Sequence, residues 1–202
     1  MLLFRKCRFL CVPKTASEFC TEALSRSCKT VQHSEKHHAG LGTKTGRNLP
    51  TFGVIRHPVT WYESYWRYRR MKGWKKAHNI DRECRSDDLE TFITNVLDAH
   101  PGWLSHYYEI WFGEDLEQLP IVCRYENLLD DLCNTLTQLG EPFNRKKLRG
   151  TSNRNVGDRV KFPAPPLSEE LQVRIIAAEH RIISKYYAED TKRYKAPTGN
   201  TK

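Results

Sequence analysis

Apolar residues in this chain come in short runs separated by polar stretches, and their spacing switches between two patterns. Phe9-Leu10-Cys11-Val12 is a brief apolar run stopped by Pro13, which predicts a buried strand. After Pro13-Lys14-Thr15-Ala16-Ser17, the residues Phe19, Cys20, Ala23 and Leu24 share one helical face. The chain therefore opens as strand, short polar loop, helix. Thr51-Phe52-Gly53-Val54-Ile55 predicts a second buried strand, ended by Arg56-His57-Pro58, whose proline suits the first turn of a helix. That helix spans 59–70 and is crowded with Trp61, Tyr62, Tyr65, Trp66 and Tyr68. A third strand is predicted over 120–125, and a helix over 127–139 closed by Gly140-Glu141-Pro142.

The intervening stretches are less regular. Residues 30–50 are polar and rich in Gly, Thr and His and predict a loop; 71–85 are basic and irregular. Asp87-x-x-Glu90 resembles a capping box ahead of Leu89, Phe92, Ile93, Val96 and Leu97. Pro101-Gly102 ends that helix and another is predicted over 104–112. The segment 149–166 predicts a loop, Ser168 opens a last helix, and 192–202 predict a frayed tail.

Strands alternating with helices imply an α/β protein, a three-layer arrangement with a mostly parallel sheet flanked by helices. In such sheets ligands bind beyond the carboxyl ends of the strands, and Lys14, Arg56 and Tyr125 all fall there. At 202 residues the length predicts a single domain over 1–191.

Composition narrows the class. Hydrophobic residues at 39% and aromatic residues at 11% exclude a disordered chain. No apolar stretch is long enough for a membrane span, and the charged start MLLFRKCRFLCVPK reads as a strand and not an export signal. The expectation is a cytoplasmic protein whose seven cysteines are reduced and mostly buried. Cys20, Cys28, His33 and His37 lack the paired C-x₂₋₄-C element of a structural zinc site, so no metal is expected. Lys+Arg 33 against Asp+Glu 24 gives +9, which favours an anionic partner without choosing one.

Two elements carry chemistry. In Pro13-Lys14-Thr15-Ala16-Ser17, a strand turns into a helix through small residues, which exposes backbone N–H groups at a helix N-terminus and makes an anion site. Lys14 adds a point charge, and Thr15 and Ser17 add hydroxyls. The G-x-x-x-x-G-K-[ST] pattern of nucleotide-binding loops is absent. In Arg56-His57-Pro58-Val59-Thr60-Trp61-Tyr62-Glu63-Ser64, an arginine at a strand end and a serine two helical turns on suit a phosphate clamp.

Together with Arg124-Tyr125-Glu126-Asn127-Leu128-Leu129, these elements resemble, in order over residues 9–130, the sulfotransferases that use 3′-phosphoadenosine 5′-phosphosulfate. The P-K-T-A-S form is similar to the branch holding glycan 2-O-sulfotransferases and small bacterial sulfotransferases. The resemblance implies a P-loop-like sulfotransferase architecture and a role for each matching position. Lys14 would bridge the 5′-phosphate and the transferring sulfuryl group. Pro13, Thr15, Ala16 and Ser17 would form the cradle with it. Arg56 and Ser64 would hold the 3′-phosphate, and Tyr125 would lie near the adenine. Arg149, Asn153 and Arg154 are candidates for the basic loop that completes the 3′-phosphate site. The base expected between the two phosphate motifs falls on His38 or His37, with Glu35 and Glu63 in reserve, while His57 supports its loop. One departure is Glu18, which stands where the family usually has Thr or Ser. The acceptor, a small molecule or a glycan, is not readable. The alternative is a basic nucleic-acid-binding or nucleotide-binding protein without sulfotransferase activity. No nucleic acid partner is expected on the first reading.

Overall fold

The computed structural model describes residues 1–33, 39–113, 121–152 and 162–189. They belong to two compact units, Met1–Arg56 with Tyr107–Asn155 and His57–His106 with Val156–Lys202.

The first unit is built on a five-stranded sheet, in the order β3-β1-β2-β4-β5. The strands are β1 (Leu2–Leu3), β2 (Arg8–Leu10), β3 (Gln32–His33), β4 (Thr51–Ile55) and β5 (Ile121–Arg124). β2, β4 and β5 run parallel, with Leu10 opposite Gly53 and Ile55 opposite Arg124. β1 pairs antiparallel with both β2 and β3. The sheet is therefore mixed and not mostly parallel. The reason is local: Phe4 N–H donates to Cys7 C=O at 2.9 Å, closing a tight turn, and a hairpin can only return antiparallel. The strand predicted over 9–12 stops at Leu10, because Val12 N–H turns back to Leu10 C=O at 3.1 Å and leaves the ladder.

α1 (Ser17–Ser27) buries Phe19, Cys20, Ala23 and Leu24, the face that its sequence spacing predicted. α6 (Leu128–Gln138) packs on β5, and α7 (Arg145–Arg149) packs on α1. Gly53 has a packing role: a Cβ there would lie 2.7 Å from the Phe112 ring, so only glycine lets that ring lie against β4. Arg8, almost fully buried, clamps the following loop to the sheet. Its guanidinium donates to Thr51 Oγ1 at 2.6 Å and to the carbonyls of Leu41, Thr43 and Thr45 at 3.0, 2.9 and 3.2 Å. All seven cysteines are free and buried, as small apolar fillers.

The second unit is helical: α2 (Pro58–Lys72), α3 (Asn79–Glu83), α4 (Leu89–Ala99), the start of α5 (Trp103–Phe112), α8 (Glu169–Ala178) and α9 (His180–Tyr186). Pro58 occupies the first turn of α2. The aromatics of α2 form its core: Trp61 stacks on Tyr65 at 5.0 Å and also contacts Trp103, and Tyr65 stacks on Phe92. The cap of α4 is Asp88, not Asp87: its carboxylate accepts from Thr91 N–H at 2.8 Å, while Glu90 accepts from Ser168 N–H. Within the stretch expected to be irregular, α3 forms around a buried polar cluster. Asp81 accepts from Tyr65 Oη at 2.7 Å and Lys75 N–H at 2.8 Å, and pairs with the buried Arg69. Arg69 also donates to His78 Nδ1 at 2.7 Å, so burial and that cation hold His78 below its usual pKa.

Glu179 is the other polar centre, fully buried at the end of α8. It accepts from Tyr62 Oη at 2.6 Å, Leu104 N–H at 3.0 Å, and Ser105 N–H and Oγ both at 2.8 Å. It thus caps α5 with a carboxylate, where the helix dipole favours negative charge. Burial, then the Glu179 charge, pushes the Tyr62 phenol well above its ordinary value. Among the described residues no helix is long and apolar enough to cross a membrane.

Removing that carboxylate leaves buried donors without an acceptor. Glu179→Ala should destabilise the protein by about 3 kcal/mol or more in urea unfolding, and Glu179→Gln by less. A loss under about 1 kcal/mol for the alanine variant would contradict the capping role.

Candidate functional site

The parallel register sets where the site lies. Because β2, β4 and β5 run in one direction, the loop 13–17, Arg56 and Tyr125 leave the sheet at the same edge, all within the first unit. This edge brings together three of the sequence-predicted elements.

The loop has an unusual backbone. Lys14 has φ 66° and Ala16 φ 63°, both left-handed, and neither is glycine. Such conformations cost of order 1–3 kcal/mol each and persist only where the surroundings impose them. Here Thr15, fully buried, donates its hydroxyl to Val12 C=O at 2.9 Å and locks the turn. That spends the Thr15 hydroxyl hydrogen inside the loop, so its contribution to an anion is left to its backbone. Ala16 is the residue before α1, and no side chain caps that helix end. Left-handed residues alternating ahead of a helix N-terminus turn successive N–H groups toward one concavity, the geometry of an anion nest. Ser17 is buried in the first turn, and Pro13, Lys14 and Ala16 are partly buried. Glu18, on that same turn, is exposed.

Arg56 follows β4 and is buried, with 7% of its surface exposed. Its backbone N–H donates to Tyr108 Oη at 3.0 Å, and the same hydroxyl donates to Arg56 C=O at 3.4 Å. Tyr108 is fully buried, which pushes its phenol far above the ordinary range and keeps it a neutral hydrogen-bonding post. The Arg56 guanidinium reaches Lys14 C=O at 3.5 Å and lies over the Tyr125 ring at 4.2 Å. Tyr125 opens a 3₁₀ turn between β5 and α6, fixed by Arg124 N–H donating to Asp131 Oδ2 at 2.7 Å. A cation, a strained loop at a helix start and an aromatic face thus meet at one edge. The arrangement can hold a phosphate or sulfate ester and offer a planar ring a stacking surface.

Ser64 lies on α2 in the second unit and is partly buried. His37, His38, Glu35, Asn153 and Arg154 lie outside the described residues. Glu63 forms an ion pair with Arg67, one turn along α2. Arg149 pairs with Asp130 on the surface and not with the loop. His57 precedes α2 and packs its ring edge-on against Tyr187 at 5.0 Å. Among the described residues no group of three or more His, Cys, Asp or Glu is gathered to hold a metal ion. Tyr108 and Asp131 were not legible as site residues. The one signal for either was a tyrosine on the apolar side of its helix.

Glycine in place of a left-handed residue should relieve the loop strain. Ala16→Gly should raise stability by about 1 kcal/mol, or roughly 2–4 °C in Tm, measured by thermal unfolding. A lower Tm would contradict the left-handed assignment. In comparisons with family models, curated proteins and solved structures, nothing matches this chain.

Proposed function

We propose that the protein is a sulfotransferase that moves a sulfuryl group from 3′-phosphoadenosine 5′-phosphosulfate to a hydroxyl or amine acceptor, on a P-loop-like sulfotransferase architecture. The observation that supports it most is the meeting of Arg56 with Lys14 and Tyr125. Arg56 and Lys14 stand 42 residues apart in sequence, and the guanidinium touches both the loop carbonyl and the aromatic face. The family's two phosphate motifs and its Y-E-N-L-L element are the segments so joined.

The residues at this edge fit such a ligand. It carries roughly four negative charges, counting nearly two on its 3′-phosphate, against a chain at +9. The nest at the start of α1 binds the 5′ end with Lys14, and Arg56 takes the 3′-phosphate. Tyr125 offers its ring to the adenine. The donor supplies an activated sulfuryl group, whose transfer follows the loose, in-line pattern of phosphoryl transfer. Lys14 and the loop amides stabilise the charge that develops on the departing phosphate. His38, or His37 beside it, accepts the acceptor's proton, since an imidazole near its usual pKa can do so at neutral pH. The chemistry as proposed uses no metal. A cytoplasmic location belongs to the same proposal, and the buried free thiols support it.

Calorimetry with adenosine 3′,5′-bisphosphate tests the clamp. Arg56→Ala should bind it about 10- to 100-fold more weakly than wild type, since hydrogen bonds to charged groups are worth about 1.5–3 kcal/mol. Equal affinity would falsify the assignment. Lys14→Ala should slow single-turnover sulfate transfer by about 10²–10³-fold. A normal rate would remove Lys14 from the leaving-group role.

A further inference from the structure

β4 ends at Ile55, so Arg56 is the first residue past the ladder, where the chain leaves the support of the neighbouring strands. A side chain at such a point goes where the φ and ψ of its own residue send it. One hydroxyl ties both sides of this residue. Tyr108 Oη accepts from Arg56 N–H at 3.0 Å and donates to Arg56 C=O at 3.4 Å. The N–H belongs to the peptide plane before the Arg56 Cα, and the C=O to the plane after it. Bonds from a single oxygen to both planes restrain their rotation, and with it the direction in which the guanidinium leaves the backbone.

That oxygen is itself held firmly. Tyr108 is fully buried. Its ring stacks on Phe112, one turn along α5, at 5.7 Å with the planes 9° apart. The Phe112 ring in turn lies against Gly53, on the strand that leads into Arg56. Helix and strand together therefore fix the hydroxyl. Burial keeps the phenol neutral, so it retains one hydrogen to donate and lone pairs to accept, the two capacities that Arg56 uses. A phenylalanine would fill the same space without burying a polar group, so packing alone does not account for the hydroxyl.

We propose that Tyr108 is a positioning residue for the loop site: its hydroxyl aims the Arg56 guanidinium and so sets the affinity for the 3′-phosphate. The proposal rests on the clamp reading of Arg56 and adds to it a residue that touches no ligand. Tyr108, Arg56, Lys14 and Tyr125 all belong to the first unit. With its backbone tied, Arg56 stands over the Tyr125 ring at 4.2 Å and reaches the Lys14 carbonyl at 3.5 Å before any ligand arrives. A cation ordered in advance lowers the entropy cost of binding. Without the hydroxyl, a buried N–H loses its acceptor, and the strand end can rotate toward another.

Calorimetry with adenosine 3′,5′-bisphosphate on a double-mutant cycle tests this, using wild type, Tyr108→Phe, Arg56→Ala and the double variant. Phenylalanine keeps the stack on Phe112, so the fold is retained. Tyr108→Phe should bind about 3- to 10-fold more weakly than wild type, the range that one hydrogen bond covers. In the Arg56→Ala background the same substitution should change affinity by less than about twofold, because no guanidinium is left to aim. Tyr62→Phe controls for lost stability, since it removes a buried hydroxyl that donates to Glu179 in the second unit. Its affinity should stay within about twofold of wild type. Unchanged affinity in Tyr108→Phe, or an equal loss in both backgrounds, would overturn the positioning role while leaving the clamp intact. So would a loss in Tyr62→Phe as large as that in Tyr108→Phe. Equal binding by wild type and Arg56→Ala would overturn the clamp and the positioning role together.

Discussion

A buried arginine at a strand end is the constraint on which the candidate site depends. Desolvating a guanidinium costs several kcal/mol unless carbonyl oxygens and aromatic faces compensate. Arg56 meets the Lys14 carbonyl and the Tyr125 ring, and Tyr108 holds its backbone from below. These contacts require β2, β4 and β5 to run parallel, because only then do the segments carrying Lys14, Arg56 and Tyr125 leave the sheet together. The sheet register and the position of the cation are therefore one requirement.

The loop follows from the same geometry. β2 ends early when Val12 folds back onto Leu10, and α1 must start within a few residues, which forces Lys14 and Ala16 into left-handed conformations. Natural loops usually place glycine in such positions. Retaining Lys14 there keeps a cation at the mouth of a helix N-terminus, and strained backbone of this kind clusters at functional sites. Arg8 performs a related task on the other side of β2, holding the loop 41–45 through its carbonyls. The unit thus uses buried arginines twice to position backbone.

Charge is unevenly used along α1. Its N-terminus, uncapped by a side chain, faces the strained loop, while cations crowd its C-terminus together with those of α7 and the β1–β2 turn. A helix dipole alone would favour a positive residue at the latter end. The accumulation from three segments goes beyond that.

Periodicity along the chain was enough to locate the three parallel strands, the long helices and the residues Lys14, Arg56 and Tyr125, because buried strands and amphipathic helices write their burial directly into the spacing of apolar side chains. The shortest elements escaped it: β1, β3, α3 and α7 have between two and five residues, too few for a period to repeat. The cap of α4 was misplaced by one residue, because Asp87 and Asp88 are adjacent and only backbone direction chooses which carboxylate meets Thr91 N–H. Glu179, Asp81, Tyr108 and Arg8 were invisible for a deeper reason. A polar residue is buried only when distant parts of the chain bring it partners, and no local pattern records those partners. The amino-acid order by itself thus determined which segments could bury a face and which carried anion-binding groups. Folding in three dimensions decided that Lys14, Arg56 and Tyr125 meet at one edge and that the sheet is mixed, since both depend on strand order and register, which are set by contacts between residues far apart along the chain.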